Sequence, residues 1–233
     1  MKKALFSRLF LDREEKHPVA LVTRMVDGSQ ALIYRDRDAF GELTLSVEEE
    51  KQIKNMLHSG RSGKLEDLGE ALFVRSYVPA YRLLIVGAVH IAQKLAVLAS
   101  EVGYQVSVID PRRAFATQAR FPGVELLCEW PDEAFARLRP DSQTAVVTLT
   151  HDPKIDDPAI IEALQSNAFY IGCLGSTRTH AKRVERLTEL GLKDKLARIC
   201  APVGLNLGGR SPAEVAVATL AQVIQVRYAR KAE

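Results

Sequence analysis

Two hydrophobic rhythms divide the chain. Beyond Pro79, short runs that are apolar throughout alternate with longer stretches in which apolar residues return every three or four positions. RLLIVG, residues 82–87, has the composition of a strand buried on both faces. His90 to Val102 follows with Ile91, Leu95, Leu98 and Val102 at helical spacing, and Gly103 stops that helix. QVSVID, residues 105–110, is the next strand, and VELLCE, TAVVTLT, AFYIGCLG and ARICAPVG read as further ones. Between them lie PDEAFARL, with Pro131 near its first helical position and acids in its first turn, and a helix starting at Asp157-Pro158 and running to about Ser166. A long basic helix from about Thr177 to Leu190 is closed by Gly191. The final helix takes Ser211 as cap, Pro212 at N1 and Glu214 at N3. Alternating strands and helices predict a doubly wound, mostly parallel Rossmann-like α/β sheet.

The first third follows another pattern. Residues 1–16 read as a short helix or an arm. PVALVTRMV and SQALIYR read as strands joined through Asp27-Gly28, a hairpin signal. Ser46 and Glu49 have capping-box spacing at the head of a helix from Val47 to about His58. GRSGKLEDLG is a polar loop, and EALFVRSYVP returns as a strand. The expected organisation is a small N-terminal α+β module over residues 1–78 and a Rossmann-like domain over residues 79–233. The module is too small for a large core of its own. It is expected to pack on the larger domain or on a second subunit, with a homodimer as the assembly.

Composition narrows the function classes. The chain has 233 residues, 47% of them hydrophobic, which is ample for a core. A net charge of +3 provides no basic field for nucleic acid. Lys2, Lys3 and Arg8 at one end, and Arg227, Arg230 and Lys231 at the other, read as solvated ends. Cys128, Cys173 and Cys200 are far apart and form no CxxC or Cys/His cluster, so neither a disulfide framework nor a zinc site is expected. Cys128 and Cys173 read as core thiols. No apolar run reaches the length of a membrane span, and the basic start is soon interrupted by charge. A cytoplasmic protein with no membrane and no nucleic-acid partner is expected.

Ligands of such sheets bind beyond the carboxyl ends of the strands, and the unusual polar residues of this chain collect there. Gly87 and His90 follow the first strand, and Asp110, Arg112 and Arg113 follow the second. Thr150, His151 and Asp152 end TAVVTLT; Gly172, Gly175, Ser176 and Arg178 surround the end of AFYIGCLG. Gly204, Asn206, Gly208, Gly209 and Arg210 fill the segment before the last helix. Asp110 stands about twenty residues after Gly87, where a dinucleotide-binding unit places its ribose ligand. It can equally cap the turn before Pro111. The fingerprint G-x-G-x-x-G is Gly87-Ala88-Val89-His90-Ile91-Ala92 here, with branched Val89 where backbone would approach a pyrophosphate. His151-Asp152 before Pro153 fits an Asx-type turn, or a general base or metal ligand. Gly175-Ser176 at a helix start, near Arg178, fits an anion cradle or a plain helix cap. Arg210 in GLNLGGR could hold a phosphate bidentately. No Ser-His-Asp arrangement or nucleophile elbow is legible, which favours holding a phosphorylated ligand over turning it over.

GAVHIAQKLA, VSVIDPRRAFATQARFPG, VVTLTHDPKID, YIGCLGSTRTHAKRVERL and APVGLNLGGRSPAEVAVATLAQVIQVR, in this order, resemble the XdhC/CoxI family from about Pro79 to Arg227. The resemblance implies an accessory protein of molybdenum hydroxylases such as xanthine dehydrogenase or carbon monoxide dehydrogenase. It implies that molybdenum cofactor (molybdopterin) is bound as cargo, protected during sulfuration by a cysteine desulfurase, and inserted into the apo-hydroxylase. The cofactor-binding residues expected are Gly87, His90, Asp110, Arg112, Thr150, His151, Asp152, Gly175, Ser176, Arg178, Gly204, Asn206, Gly208 and Arg210. The family's usual GAGHV turn is GAVHI here, and its N-terminal Gly-Gly-Cys segment has no counterpart, since no cysteine precedes Cys128. Two other readings stand beside it: an NAD(P)-dependent oxidoreductase using the βαβ unit and Asp110, and a nucleotide-sensing module.

Overall fold

The structure, a computed structural model, describes residues 2–65 and 71–229. Arg230, Lys231 and the end of the predicted GRSGKLEDLG loop lie outside the described residues. The chain forms two compact units, Met1–Pro79 and Ala80–Glu233. Among the described residues no helix is long and apolar enough to cross a membrane.

The first unit contains α1 (Lys3–Glu14), β1 (Val19–Arg24), β2 (Gln30–Ile33), β3 (Phe40–Gly41), α2 (Val47–Ser59), β4 (Gly63–Leu65) and β5 (Leu72–Tyr77). Its strands form one antiparallel sheet in the order β3-β2-β1-β5-β4. Successive strand side chains point to opposite faces, and the two faces carry different helices. Ala20 and Val22 pack with Ile53 and Leu57 of α2. Val19, Leu32 and Tyr34 pack with Leu5 and Leu9 of α1. Ser46 caps α2 reciprocally: its hydroxyl accepts from the Glu49 amide, and its own amide donates to the Glu49 carboxylate at 2.7 Å. Gly60, at φ +68°, ends the helix in the left-handed conformation. Strands β3 and β4 had no apolar signal, and β4 falls in the segment read as a loop. Both are short edge strands whose state is set by pairing with β2 and β5 rather than by local pattern. Arg8 is also not a free solvated cation, because its Nε donates to the buried carboxylate of Asp12 at 3.2 Å.

The second unit contains β6 (Arg82–Val86), α3 (His90–Glu101), β7 (Gln105–Ile109), β8 (Glu125–Leu127), α4 (Pro131–Leu138), β9 (Thr144–Thr148), α5 (Pro153–Gln165), β10 (Tyr170–Cys173), α6 (Thr177–Glu189), a 3₁₀ turn (Lys193–Arg198), β11 (Ile199–Cys200) and α7 (Pro212–Ala229). All six strands are parallel, in the order β11-β10-β9-β6-β7-β8. This is a doubly wound sheet whose strand order switches between β6 and β9, the kind of point beyond which such sheets bind ligands. Leu83 and Ile85 of β6 face α3 and α7, whereas Leu84 and Val86 face α4, α5 and α6. Helix α5 starts at Pro153, not at Asp157-Pro158. Asp152 caps it by accepting from the Lys154 amide, and Pro158 sits inside, one turn in. Two residues also depart from expectation. Cys128 is exposed, because it follows buried Leu127 on edge strand β8 and turns to the other side. Arg227 is half-buried, with its guanidinium 3.8 Å from the centroid of the Tyr81 ring.

Two local constraints fix the strand tips. Gly87 has φ +106°, and a Cβ there would lie 2.5 Å from Thr150 Cγ2 and 3.2 Å from the Thr150 amide nitrogen. Only glycine permits both the dihedral and the approach of the β6 tip to the β9 tip. Asp110, fully buried, accepts at Oδ2 from the Ala88 amide at 2.8 Å, and so ties the β7 tip to the turn after β6. Arg112 closes the other side, donating from its amide and Nε to Oδ1 (both 2.9 Å) and from Nη2 to Oδ2 (2.8 Å). Burial alone would raise this carboxyl's pKa, but the Arg112 guanidinium and the two amides outweigh it, and the pKa lies below the usual carboxylate value.

Replacing Gly87 with alanine is expected to lower the unfolding free energy by about 2–4 kcal/mol, read by denaturant titration. Adding Thr150→Ser removes the clashing methyl and recovers only part of that loss, because the dihedral strain stays. An unchanged midpoint in Gly87→Ala would refute the close-approach account. For Asp110, the depressed folded pKa means that its stabilisation is complete above the unfolded value of about 3.9 and fades as pH falls through the lower folded one. Arg112→Met therefore costs about 1–3 kcal/mol at neutral pH, and the gap from the parent narrows on acidification. A gap that is constant or widens below pH about 4 would contradict the latch.

Candidate functional site

The turn after β6 carries Gly87, buried Ala88, half-buried Val89 and exposed His90, the first residue of α3. Val89 occupies the N-cap with no side-chain cap hydrogen bond. Asp110 has both oxygens filled by four protein donors, so a ribose hydroxyl finds no open acceptor there. The Arg112 guanidinium lies 4.6 Å from the centroid of the Phe115 ring. The turn therefore does not fit a dinucleotide: Val89 blocks backbone approach, and the acidic residue is already engaged within the protein.

Beyond β9, the chain folds back on a buried carboxylate. Thr150 donates from its amide (3.2 Å) and hydroxyl (2.7 Å) to Asp156 Oδ1, and the His151 amide donates to Oδ2 at 3.1 Å. Burial raises the Asp156 pKa, against the pull of these donors and of the Arg183 charge. The fold-back puts His151 at φ +64°, exposed, and gives Asp152 the capping role on α5. Beyond β10, Ser176 caps α6 by accepting from the Thr179 amide at 3.2 Å, and a Cβ on Gly175 would meet Thr179 at 3.0 Å. Gly204, before α7, donates its amide to Gln222 at 2.9 Å, and a Cβ there would lie 3.0 Å from the Thr219 nitrogen. Asn206, Gly208 and Arg210 are exposed, and Glu214 accepts from the Arg210 amide in the cap of α7.

A cleft of about 330 Å³ opens between the β9 tip, α5 and α6. His151, Arg178, Thr179, Lys182, Arg183 and Arg186 line it, along with Asp156 and Asp157. Two of the residues expected from the sequence, His151 and Arg178, meet here. The Arg186 fork is taken by Asp157, at 2.6 and 2.9 Å. Arg183 is 2% exposed and donates one bond, to the Leu174 carbonyl at 3.1 Å. Its Nε and Nη1 are buried with no hydrogen-bond partner among the described residues. His180, on the same helix, has its pKa lowered by burial and then by the Arg183 charge. Burial pushes the Cys173 thiol up to about 11, which keeps it protonated and unreactive at neutral pH. The excess of cations over carboxylates gives this surface the chemistry that suits an anion.

Reading the sequence missed Asp156, Lys182 and Arg183. The signal for Arg183 is its place one turn before buried Leu187, on the stripe that α6 turns inward. A cation on that stripe is unusual, whereas Arg178, Lys182 and Arg186 share the next stripe at four-residue spacing.

Over 157 residues, 67% of this chain and 46% of the relative, the sequence is 34% identical to a Bacillus subtilis protein named as a probable subunit of xanthine dehydrogenase. Over 156 residues, 66% of this chain and 43% of the relative, it is 34% identical to the Escherichia coli molybdenum cofactor insertion chaperone PaoD. The chain thus spans less than half the length of these two curated relatives. A crystal structure of a Bacillus halodurans protein described as a xanthine dehydrogenase superposes with a TM-score of 0.70 at 24% identity, covering 98% of this chain and 64% of that one, and shares its fold. The family model of the XdhC Rossmann domain matches residues 83–223, more than half of the chain, which therefore belongs to the XdhC family.

Proposed function

We propose that this chain is an accessory of molybdenum hydroxylase maturation that carries molybdenum cofactor as cargo. In this reading the strand-tip rim of the second unit holds the cofactor, shields it while a cysteine desulfurase supplies sulfur, and releases it into an apo-hydroxylase of the xanthine dehydrogenase or carbon monoxide dehydrogenase type. The working form is a homodimer. The observation that carries the reading is the set of cations at the strand tips with no carboxylate partner, in a chain 34% identical to a molybdenum cofactor insertion chaperone. The cofactor bears a phosphate, and guanidinium groups beside a helix start suit that group. The buried thiol of Cys173 and the cap duties of Ser176 and Asp152 leave these groups to structure, in keeping with carriage of the cofactor rather than its turnover.

The test loads purified chain with free cofactor and adds it to an apo-hydroxylase. Retention of the pterin through gel filtration and a gain in hydroxylase activity are expected; loss of both sinks the reading. Arg210→Ala removes an exposed guanidinium from the rim and should weaken retention about tenfold, the size of one charge-assisted hydrogen bond, without moving the melting temperature. Saturating NAD or NADH is expected to leave the melting temperature unchanged, because Asp110 is already filled; a rise of several degrees would restore the oxidoreductase reading.

A further inference from the structure

The cleft between α5 and α6 holds more positive charge than the fold needs. Arg178, Lys182 and Arg186 stack at four-residue spacing along one stripe of α6, where like charges repel. Asp157 neutralises Arg186. Among the described residues no carboxylate lies within ion-pair distance of Arg178 or Lys182. Beneath them is Arg183, 98% hidden from solvent, with two of its nitrogens carrying unmet N–H groups. Asp156 is the nearby acid, but its oxygens accept from Thr150 and His151 and form no hydrogen bond to Arg183. A buried guanidinium left in this state is costly, and an anion in the cleft is the partner that removes the cost.

We infer that this cleft is a binding site for a phosphomonoester dianion, with Arg183 as its floor, Arg178 and Lys182 as its rim, and the Thr179 hydroxyl and His151 beside them. Two features select this class. The charge left in the cleft exceeds one, matching a dianion better than a carboxylate. At about 330 Å³, the volume exceeds what a bare tetrahedral anion fills and sits at the lower end of small-molecule sites, leaving room for the first atoms of the esterified group. Neither Lys182 nor Arg183 belongs to the strand-tip set expected from the sequence. The inference rests on the proposed cofactor reading only for which molecule carries the phosphate.

The experiment titrates the full chain by calorimetry at low salt with inorganic phosphate, pyrophosphate and phenyl phosphate. All three should bind, phenyl phosphate at least as tightly as inorganic phosphate, and affinity should fall as salt rises. Arg183→Met keeps the apolar stem and should reduce affinity at least tenfold. Because loss of a buried residue can unfold the protein, the exposed pair Arg178→Glu and Lys182→Glu serves as the second variant and should abolish binding while leaving the melting temperature in place. Lys51→Ala, on the other unit, should change nothing. The inference is overturned if the folded parent binds none of the three at millimolar concentration, or if Lys51→Ala weakens binding as much as the cleft variants do. A chain that binds phenyl phosphate but retains no molybdenum cofactor would overturn the cofactor reading and leave this site standing. Undiminished cofactor retention in the Arg178→Glu, Lys182→Glu variant, together with no phosphate binding in the parent, would do the reverse.

Discussion

One buried carboxylate at the end of β7 holds the ligand edge of the sheet in shape. Asp110 has no exposure, yet its two oxygens take the Ala88 amide, the Arg112 amide and the Arg112 fork. Those bonds fix the turn after β6, which in turn lets Gly87 lie against Thr150 at the β9 tip. Thr150 then anchors to Asp156, whose carboxyl feels the charge of Arg183. A line of polar bonds and one close backbone approach thus runs across the strand tips from β7 to α5. Removing Arg112 would leave the fully buried Asp110 carboxylate without its guanidinium, and removing Thr150 would take two of the three donors from buried Asp156, so polar bonds as much as packing hold this edge.

Where a segment is buried on both faces, its sequence announces it. The central residues of RLLIVG and TAVVTLT pack into apolar clusters on both faces of the sheet, and α3 packs Leu95 and its neighbours on one of them, so local pattern and tertiary environment agree, and the Rossmann-like sheet is legible. Edge strands have no such agreement. β3 is two residues long and exposed, and its hydrogen bonds to β2 define it. The start of α5 departs from the expected Asp157-Pro158 for a different reason. Asp152-Pro153 and Asp157-Pro158 are both good cap-and-proline pairs, and the choice falls on the first because the fold-back onto Asp156 needs that carboxylate inside the helix. Pro158 then leaves only the exposed Lys154 carbonyl without its helical donor, a small cost.

Charged residues are harder to read, since a sequence shows which groups ionise but not which ones meet. The distance from Gly87 to Asp110 marks an acid at a strand tip; it cannot show that Arg112, two residues on, reaches back and fills both oxygens. Arg183 sits in THAKRVERL, which has the composition of a solvated helix face. Its burial comes from the surroundings of α6, and its single bond goes to a carbonyl nine residues earlier. Local composition carries no trace of either fact; only the four-residue spacing from Arg183 to Leu187 points to the burial.

The helix starts of the second unit show how far α6 departs from what stability alone would choose. Acids near a helix N-terminus are favourable, and α4, α5 and α7 carry Asp132 and Glu133, Asp156, and Glu214 there. Helix α6 has no acid in its first turn and places Arg178 there instead, with Lys182 one turn later. Arg178 opposes the helix dipole, and it and Lys182 repel each other, each effect worth some tenths of a kcal/mol. Serine at the cap and a buried arginine beneath add no negative charge to offset them. Helix α3 also lacks an acid in its first turn, but it places no lysine or arginine there, so among these helices a first-turn cation without a first-turn acid is particular to α6. A dianion seated at this helix start would turn each unfavourable term favourable at once, which makes stability without ligand and affinity for ligand opposing demands on the same few side chains.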